Sequence, residues 1–157
     1  MNKIAIITST RAEYGLLQPV IREFRKHESE GLQVCLVVTG THLSKEHGYT
    51  VSEIEEAGDR IDFKIPIGVA SGSPSDIARN EADTVVKFTD LFAQEKFSAV
   101  VVLGDRYEIL MVALAAVNTS TPIFHISGGD TTEGAADECF RHSISKMSYL
   151  HFPTNED

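Results

Sequence analysis

Short apolar runs alternate with longer amphipathic segments along the chain, and polar clusters follow those runs. Together these features predict an α/β fold, an open, doubly wound parallel sheet. The runs Lys3–Thr8, Leu32–Thr39, Ala99–Leu103 and Pro122–Ile126 are continuous rather than alternating. Strands covered on both faces carry that pattern. Asp59–Ile67 alternates instead, with Ile61, Phe63, Ile65 and Ile67 on one side, which predicts a strand nearer an edge. Tyr149–Pro153 supplies a sixth.

Helices are expected between them. Leu17, Val20, Ile21 and Phe24 follow helical spacing, as do Ala78, Ala82, Val85, Thr89 and Phe92. Thr10-x-x-Glu13 matches a capping box, and Pro74-Ser75 before Asp76 suits a helix start. Glu108–Val117 is mostly apolar and predicts a helix buried against the sheet; Asp137–Met147 predicts another. Residues 1–157 form one domain, because 157 residues support one full core but not two.

Composition narrows the function classes. A hydrophobic fraction of 42% and a charged fraction of 24% are those of an ordinary globular protein. A net charge of −9 argues against a nucleic-acid partner, although one pocket can be positive on an acidic protein. No apolar stretch approaches the ~18 residues of a membrane span, and Met1–Ile7 does not resemble a signal peptide. A cytoplasmic protein is expected. Cys35 and Cys139 form no Cys-x-x-Cys pair, and His42, His47, His125, His142 and His151 show no metal-ligand spacing. Neither a metal nor a cofactor is expected.

In a parallel sheet, ligands bind at the carboxyl ends of the strands. Four polar loops fall there. Thr8-Ser9-Thr10-Arg11 opens a helix, where backbone N–H groups favour anions, and Arg11 is either a phosphate contact or a surface ion-pair partner. Asp105, in Gly104-Asp105-Arg106-Tyr107-Glu108, is either a working carboxylate or a helix N-cap. Ser127-Gly128-Gly129-Asp130 begins a loop whose glycines let backbone approach a ligand or simply turn. Asp130, Glu133, Asp137 and Glu138 place four carboxylates within nine residues. Acid/base work and helix capping both account for them. Arg141 and His142 follow one turn later.

Five segments, in order, resemble the hydrolysing UDP-N-acetylglucosamine 2-epimerases. They are Thr10-Arg11-Ala12-Glu13-Tyr14-Gly15, Val38-Thr39-Gly40-Thr41-His42-Leu43, Gly104–Glu108, His125–Gly134, and Asp137-Glu138 through Ser148. The resemblance extends to the subgroup serving sialic and legionaminic acid synthesis. It implies a Rossmann-like domain, the first half of a glycosyltransferase-B-type fold. A second domain, not contained in these residues, would hold much of the UDP-sugar. It also implies anti-elimination of UDP to a 2-acetamidoglucal, followed by addition of water.

On this resemblance Asp105 and Asp137 match catalytic acids, with Glu138 in support. Substrate contacts fall at Arg11, Glu13, His42, Arg106, Ser127, Gly128, Gly129, Arg141 and His142. Ser127 departs from the Glu or His of relatives, which passes the base role toward Asp130. The chain alone is expected to be inactive, and the full-length enzyme a homo-oligomer, a dimer or tetramer. A glycosyltransferase half-domain or a non-catalytic nucleotide-sugar module shares the fold and remains the alternative.

Overall fold

The apolar runs become strands of one sheet in the computed structural model, which describes residues 2–68, 72–128 and 136–154. The strands are β1 (Asn2–Thr8), β2 (Leu32–Thr39), β3 (Phe63–Ile65), β4 (Ala99–Leu103), β5 (Ile123–Ile126) and β6 (Leu150–Phe152). All pair in parallel, in the order β3-β2-β1-β4-β5-β6. That is the doubly wound Rossmann order, and chain direction across the sheet reverses between β1 and β4.

Among the described residues, five α-helices cover the sheet: α1 (Arg11–Lys26), α2 (Val51–Glu56), α3 (Pro74–Glu95), α4 (Tyr107–Asn118) and α5 (Ala136–Met147). Strand side chains alternate between faces, so each strand feeds two cores. Ala5, Ile7, Val37, Val100 and Val102 pack under α3, α4 and α5, where Phe88, Val112 and Ile144 are fully buried. Ile4, Ile6, Leu36, Val38 and Val101 pack under α1 and α2, against Leu17, Ile21 and Ile54. This second face is incompletely covered. Beyond α1, Phe124, Ile126 and Phe152 line an apolar hollow of about 260 Å³ with Val20, Phe24 and Val101.

Three expectations are corrected. The alternating segment 59–67 yields only three strand residues, at the predicted edge. Asp59 is drawn to the α1 side by Tyr14 Oη (2.6 Å) and Arg25 Nη1 (3.0 Å). Ile61 therefore packs with that core, whereas Phe63, Ile65 and Ile67 pack with the other. The buried stripe of α3 runs through Thr84, Phe88, Leu91 and Phe92, so Ala78 and Ala82 face solvent. The large rings set the face, since Phe92 packs edge-on to both Phe88 and Phe97. The cap of α3 is Ser73, in a reciprocal capping box with Asp76, and Pro74 sits at the first helical position.

Candidate active site at the carboxyl ends of the strands

The parallel sheet brings the loops after β1, β2, β4 and β5 to one edge. On the β1 side, the predicted capping box forms: Glu13 N–H donates to Thr10 Oγ1 (3.3 Å). The Glu13 carboxylate turns back inward. Its Oε2 accepts from Ser9 N (2.7 Å), Ser9 Oγ (2.8 Å) and Thr10 N (3.2 Å). Ser9 Oγ also lies 3.0 Å from Glu108 Oε1, which accepts from Arg106 Nε (2.5 Å). Ser9, Glu13 and Glu108 are buried, at 0%, 6% and 1% exposure. Burial pushes the Glu13 pKa up to about 7; hydrogen bonds from Ser9 pull it down, and nearby Glu108 pushes it up.

The loop after β2 is pressed against this one. Gly40 has φ +58°, and a Cβ there would lie 2.7 Å from Ser9 O, so a side chain has neither the backbone nor the room. His42, fully buried, joins Thr8 Oγ1 through Nε2 (3.0 Å) and Thr50 Oγ1 through Nδ1 (2.8 Å). Burial pushes its pKa down to about 4, so it is neutral near pH 7. Glu13 and His42 thus lie beneath the crevice rather than on its wall. Arg11 is on the wall, at the first helical position of α1, with its side chain 74% exposed and Nε 2.9 Å from Glu53.

The β4 and β5 loops form the other side. Arg106 is the N-cap of α4 and no side chain caps it, so Asp105 is not a cap. Asp105 instead accepts from Arg141 Nη2, on α5. Arg141 is itself buried, and Asp105 is partly open. Arg141 lies one turn after Asp137, on the same face of α5, so the ion pair brings the first turn of α5 toward Asp105. Asp137 is exposed; Glu138 is half-buried and lies 3.3 Å from His142 Nε2.

Sequence reasoning missed the residues that brace this side. His125 is fully buried and donates from Nε2 to Gly104 O (2.7 Å), while Nδ1 lies 3.2 Å from Ser145 Oγ. Burial lowers its pKa and the hydrogen bond to Gly104 raises it, with a net downward shift. The available signal was a polar ring inside the apolar run 122–126, which needs internal partners. A Cβ on Gly128 would lie 2.5 Å from His125 Nδ1, so this glycine is required by close packing. Ser127 sits at φ +59°, the left-handed region disfavoured for a side-chain-bearing residue. Gly129, Asp130 and Glu133 lie outside the described residues.

The wall residues Arg11, Asp105, Arg106, Ser127 and Gly128 therefore belong to loops that meet across the β1–β4 reversal. Among the described residues no group of three His, Cys, Asp or Glu could hold a metal ion. No described helix is long and apolar enough to cross a membrane.

A family model described as UDP-N-acetylglucosamine 2-epimerase matches residues 24–157. The UDP-N,N'-diacetylbacillosamine 2-epimerase (hydrolyzing) of Legionella pneumophila is 38% identical over 156 residues, 99% of this chain and 41% of the relative. The GDP/UDP-N,N'-diacetylbacillosamine 2-epimerase (hydrolyzing) of Campylobacter jejuni is 42% identical over 155 residues, 99% of this chain and 40% of the relative. Among solved structures, UDP-GlcNAc 2-epimerase from Neisseria meningitidis, bound to UDP-GlcNAc, superposes with a TM-score of 0.83 at 25% identity. That match covers 99% of this chain and 41% of the neighbour. The chain spans about two fifths of the length of the relatives it matches.

Proposed function

This chain belongs to the UDP-N-acetylglucosamine 2-epimerase family, and on that premise we propose that the full-length protein is a hydrolysing UDP-sugar 2-epimerase. Its residues 1–157 supply one wall of the catalytic cleft, and a second domain supplies the other. The substrate is a UDP-linked 2-acetamido sugar. The names of the two bacterial relatives support its 2,4-diacetamido form, an intermediate on the way to nonulosonic acids.

The observation that carries this reading is the Asp105–Arg141 pair at the β1–β4 reversal, next to the first turn of α5 with Asp137 and Glu138. Carboxyl groups in unlike surroundings suit a reaction that needs both a base and an acid. In the first stage a base takes the proton from carbon 2. The electrons of that C–H bond form the C1=C2 double bond as the C1–O bond breaks, and UDP leaves with the bonding pair. In the second stage water adds its oxygen to carbon 1 while carbon 2 receives a proton on the opposite face. Asp105, held against a buried guanidinium, suits proton abstraction or activation of water. Asp137 is the solvent-linked proton carrier, with Glu138 beside it. Asp130 is assigned the second base role, in place of Ser127. Arg11 and Arg106 face the diphosphate.

The test supplies full-length protein with UDP-N,N'-diacetylbacillosamine, or with UDP-N-acetylglucosamine, in deuterated water. Release of UDP with a 2-epimerised free sugar carrying one deuterium at carbon 2 is expected. A sugar that stays on the nucleotide, or that moves only to an added acceptor, overturns the reading in favour of a binding module or a glycosyltransferase. The 157-residue chain alone leaves the reacting carbons open to water and is expected to release no UDP.

A further inference from the structure

One cluster at the base of the crevice takes no part in the chemistry above. Ser9 Oγ lies 2.8 Å from Glu13 Oε2 and 3.0 Å from Glu108 Oε1. A serine hydroxyl has one proton and donates it to one acceptor. With both acids ionised, the second contact would set two oxygen lone pairs face to face in a dry site. A carboxyl proton on the pair removes that conflict, because Ser9 then accepts from one acid and donates to the other.

Two further features agree. Glu13 Oε1 and Glu108 Oε2 are buried with no hydrogen-bond partner among the described residues, a costly arrangement for two full negative charges. Among the described residues the cation in direct contact is Arg106, through its Nε, so two ionised acids and one guanidinium would leave a net negative charge. The other titratable groups nearby do not change that balance. Asp105 is matched by Arg141, Arg11 by Glu53, and burial keeps His42 uncharged.

We propose that Glu13 and Glu108, bridged by Ser9, are a positioning pair that shares one proton and so holds Arg106 as a cation facing the anionic part of the ligand. The acids come from α1 and α4, on opposite sides of the β1–β4 reversal, so the pair also locks the two helix starts together. The side chain of Arg106 is 42% exposed; its Nε is spent on Glu108, and its terminal nitrogens make no hydrogen bond among the described residues. With the proton in place the trio is neutral and accepts a diphosphate. Without it, the excess charge repels one. The ligand half of this statement rests on the function proposed above; the shared proton does not.

The test begins with the 157-residue chain labelled with 13C at glutamate carboxyls and 15N at arginine Nε. Titration by NMR is expected to show a carboxyl step near pH 7, with the Arg106 Nε signal moving at the same midpoint. Glu13→Gln, which cannot ionise, is expected to abolish the Arg106 step. A capping role alone would lower stability but leave that step in place, so its persistence overturns the proposal. Two carboxyls titrating independently below about pH 5 also overturn it. In the full-length protein, KM for the UDP-sugar is expected to rise roughly tenfold as the proton is lost, with kcat moving less. A flat KM across the carboxyl step refutes the role toward the ligand. If no UDP-sugar is turned over at all, the proposed function falls, while the carboxyl and arginine titrations still decide the shared proton.

Discussion

At the base of the crevice, beneath the β1–β4 reversal, the acids are sealed in. Glu13 and Glu108 are buried and tied to backbone amides, a serine and an arginine. On the β5 side the acids are open or half-open: Asp105 leans on Arg141, and Asp137 and Glu138 stand in the first turn of α5. The two sides have similar composition and opposite physical circumstances. A carboxylate that donates or takes protons from a substrate must reach it; one that is desolvated and buried acts through its neighbours. On the function proposed above, chemistry falls to the open acids near β5 and positioning to the sealed acids at the base. Each side then has its own signature, in rate for one and in stability and pH dependence for the other.

The sharpest way to break this division is Asp105→Asn in the full-length protein. UDP release is expected to fall by roughly 10²–10⁴. Because Arg141 then faces a neutral amide, stability should also drop by about 2 kcal/mol. A variant that keeps near-parent turnover while losing that stability would make Asp105 a purely structural partner. Asp137→Asn gives a cleaner separation. The same class of rate loss is expected, yet this exposed residue contributes only about 0.3–1 kcal/mol through the helix dipole. Thermal melting should hardly move, and an intact rate would return Asp137 to a capping role.

On the sealed side the expected effect is on stability, and it depends on pH. The folded Glu13 carboxyl has a pKa raised from 4.5 to about 7. Its contribution is therefore complete below about pH 4.5 and is lost as pH rises through 7. In Glu13→Gln that loss is absent. Whatever constant the buried amide adds, the stability difference between variant and parent should shift in the variant's favour by about 2–3 kcal/mol from pH 4.5 to 8. His42 runs the other way. Its pKa is lowered to about 4, so its contribution is complete above about 6.5 and lost as pH falls. Chemical denaturation of the 157-residue chain at several pH values reads both. A pH-independent difference for Glu13→Gln would mean that Glu13 is an ordinary carboxylate. The smallest effect belongs to Arg11→Ala. Its exposed pair with Glu53 should cost under about 1 kcal/mol. KM for the UDP-sugar should rise with little change in melting temperature, and an unchanged KM would remove Arg11 from the site.

Much of this molecule is legible in its sequence. Buried parallel strands must be apolar on both faces, so Lys3–Thr8, Leu32–Thr39 and Ala99–Leu103 declare themselves by composition. The capping box of α1 is a local pattern, set by four consecutive residues, and it forms as expected. Polar residues after each strand gave the site edge, because the parallel arrangement sends every strand's carboxyl end the same way. The weaker readings failed where a distant partner decided. Asp59 is held by Tyr14 and Arg25, which shortens β3, and aromatic rings rotate the buried face of α3 away from its alanines.

Within the site the same division holds. Local sequence determined which residues line the strand ends, and it left Asp105 open between cap and carboxylate. Only the tertiary structure removed the cap reading, by making Arg106 the N-cap and placing Arg141, 36 residues onward, against Asp105. It likewise separated Glu13 and His42 from the wall residues and joined Glu13 to Glu108, on another helix, through Ser9. The physical reason is that apolar periodicity and capping depend on neighbours in the chain. Desolvation, ion pairing and a shared proton depend on what the fold packs alongside, and no short stretch of sequence contains that.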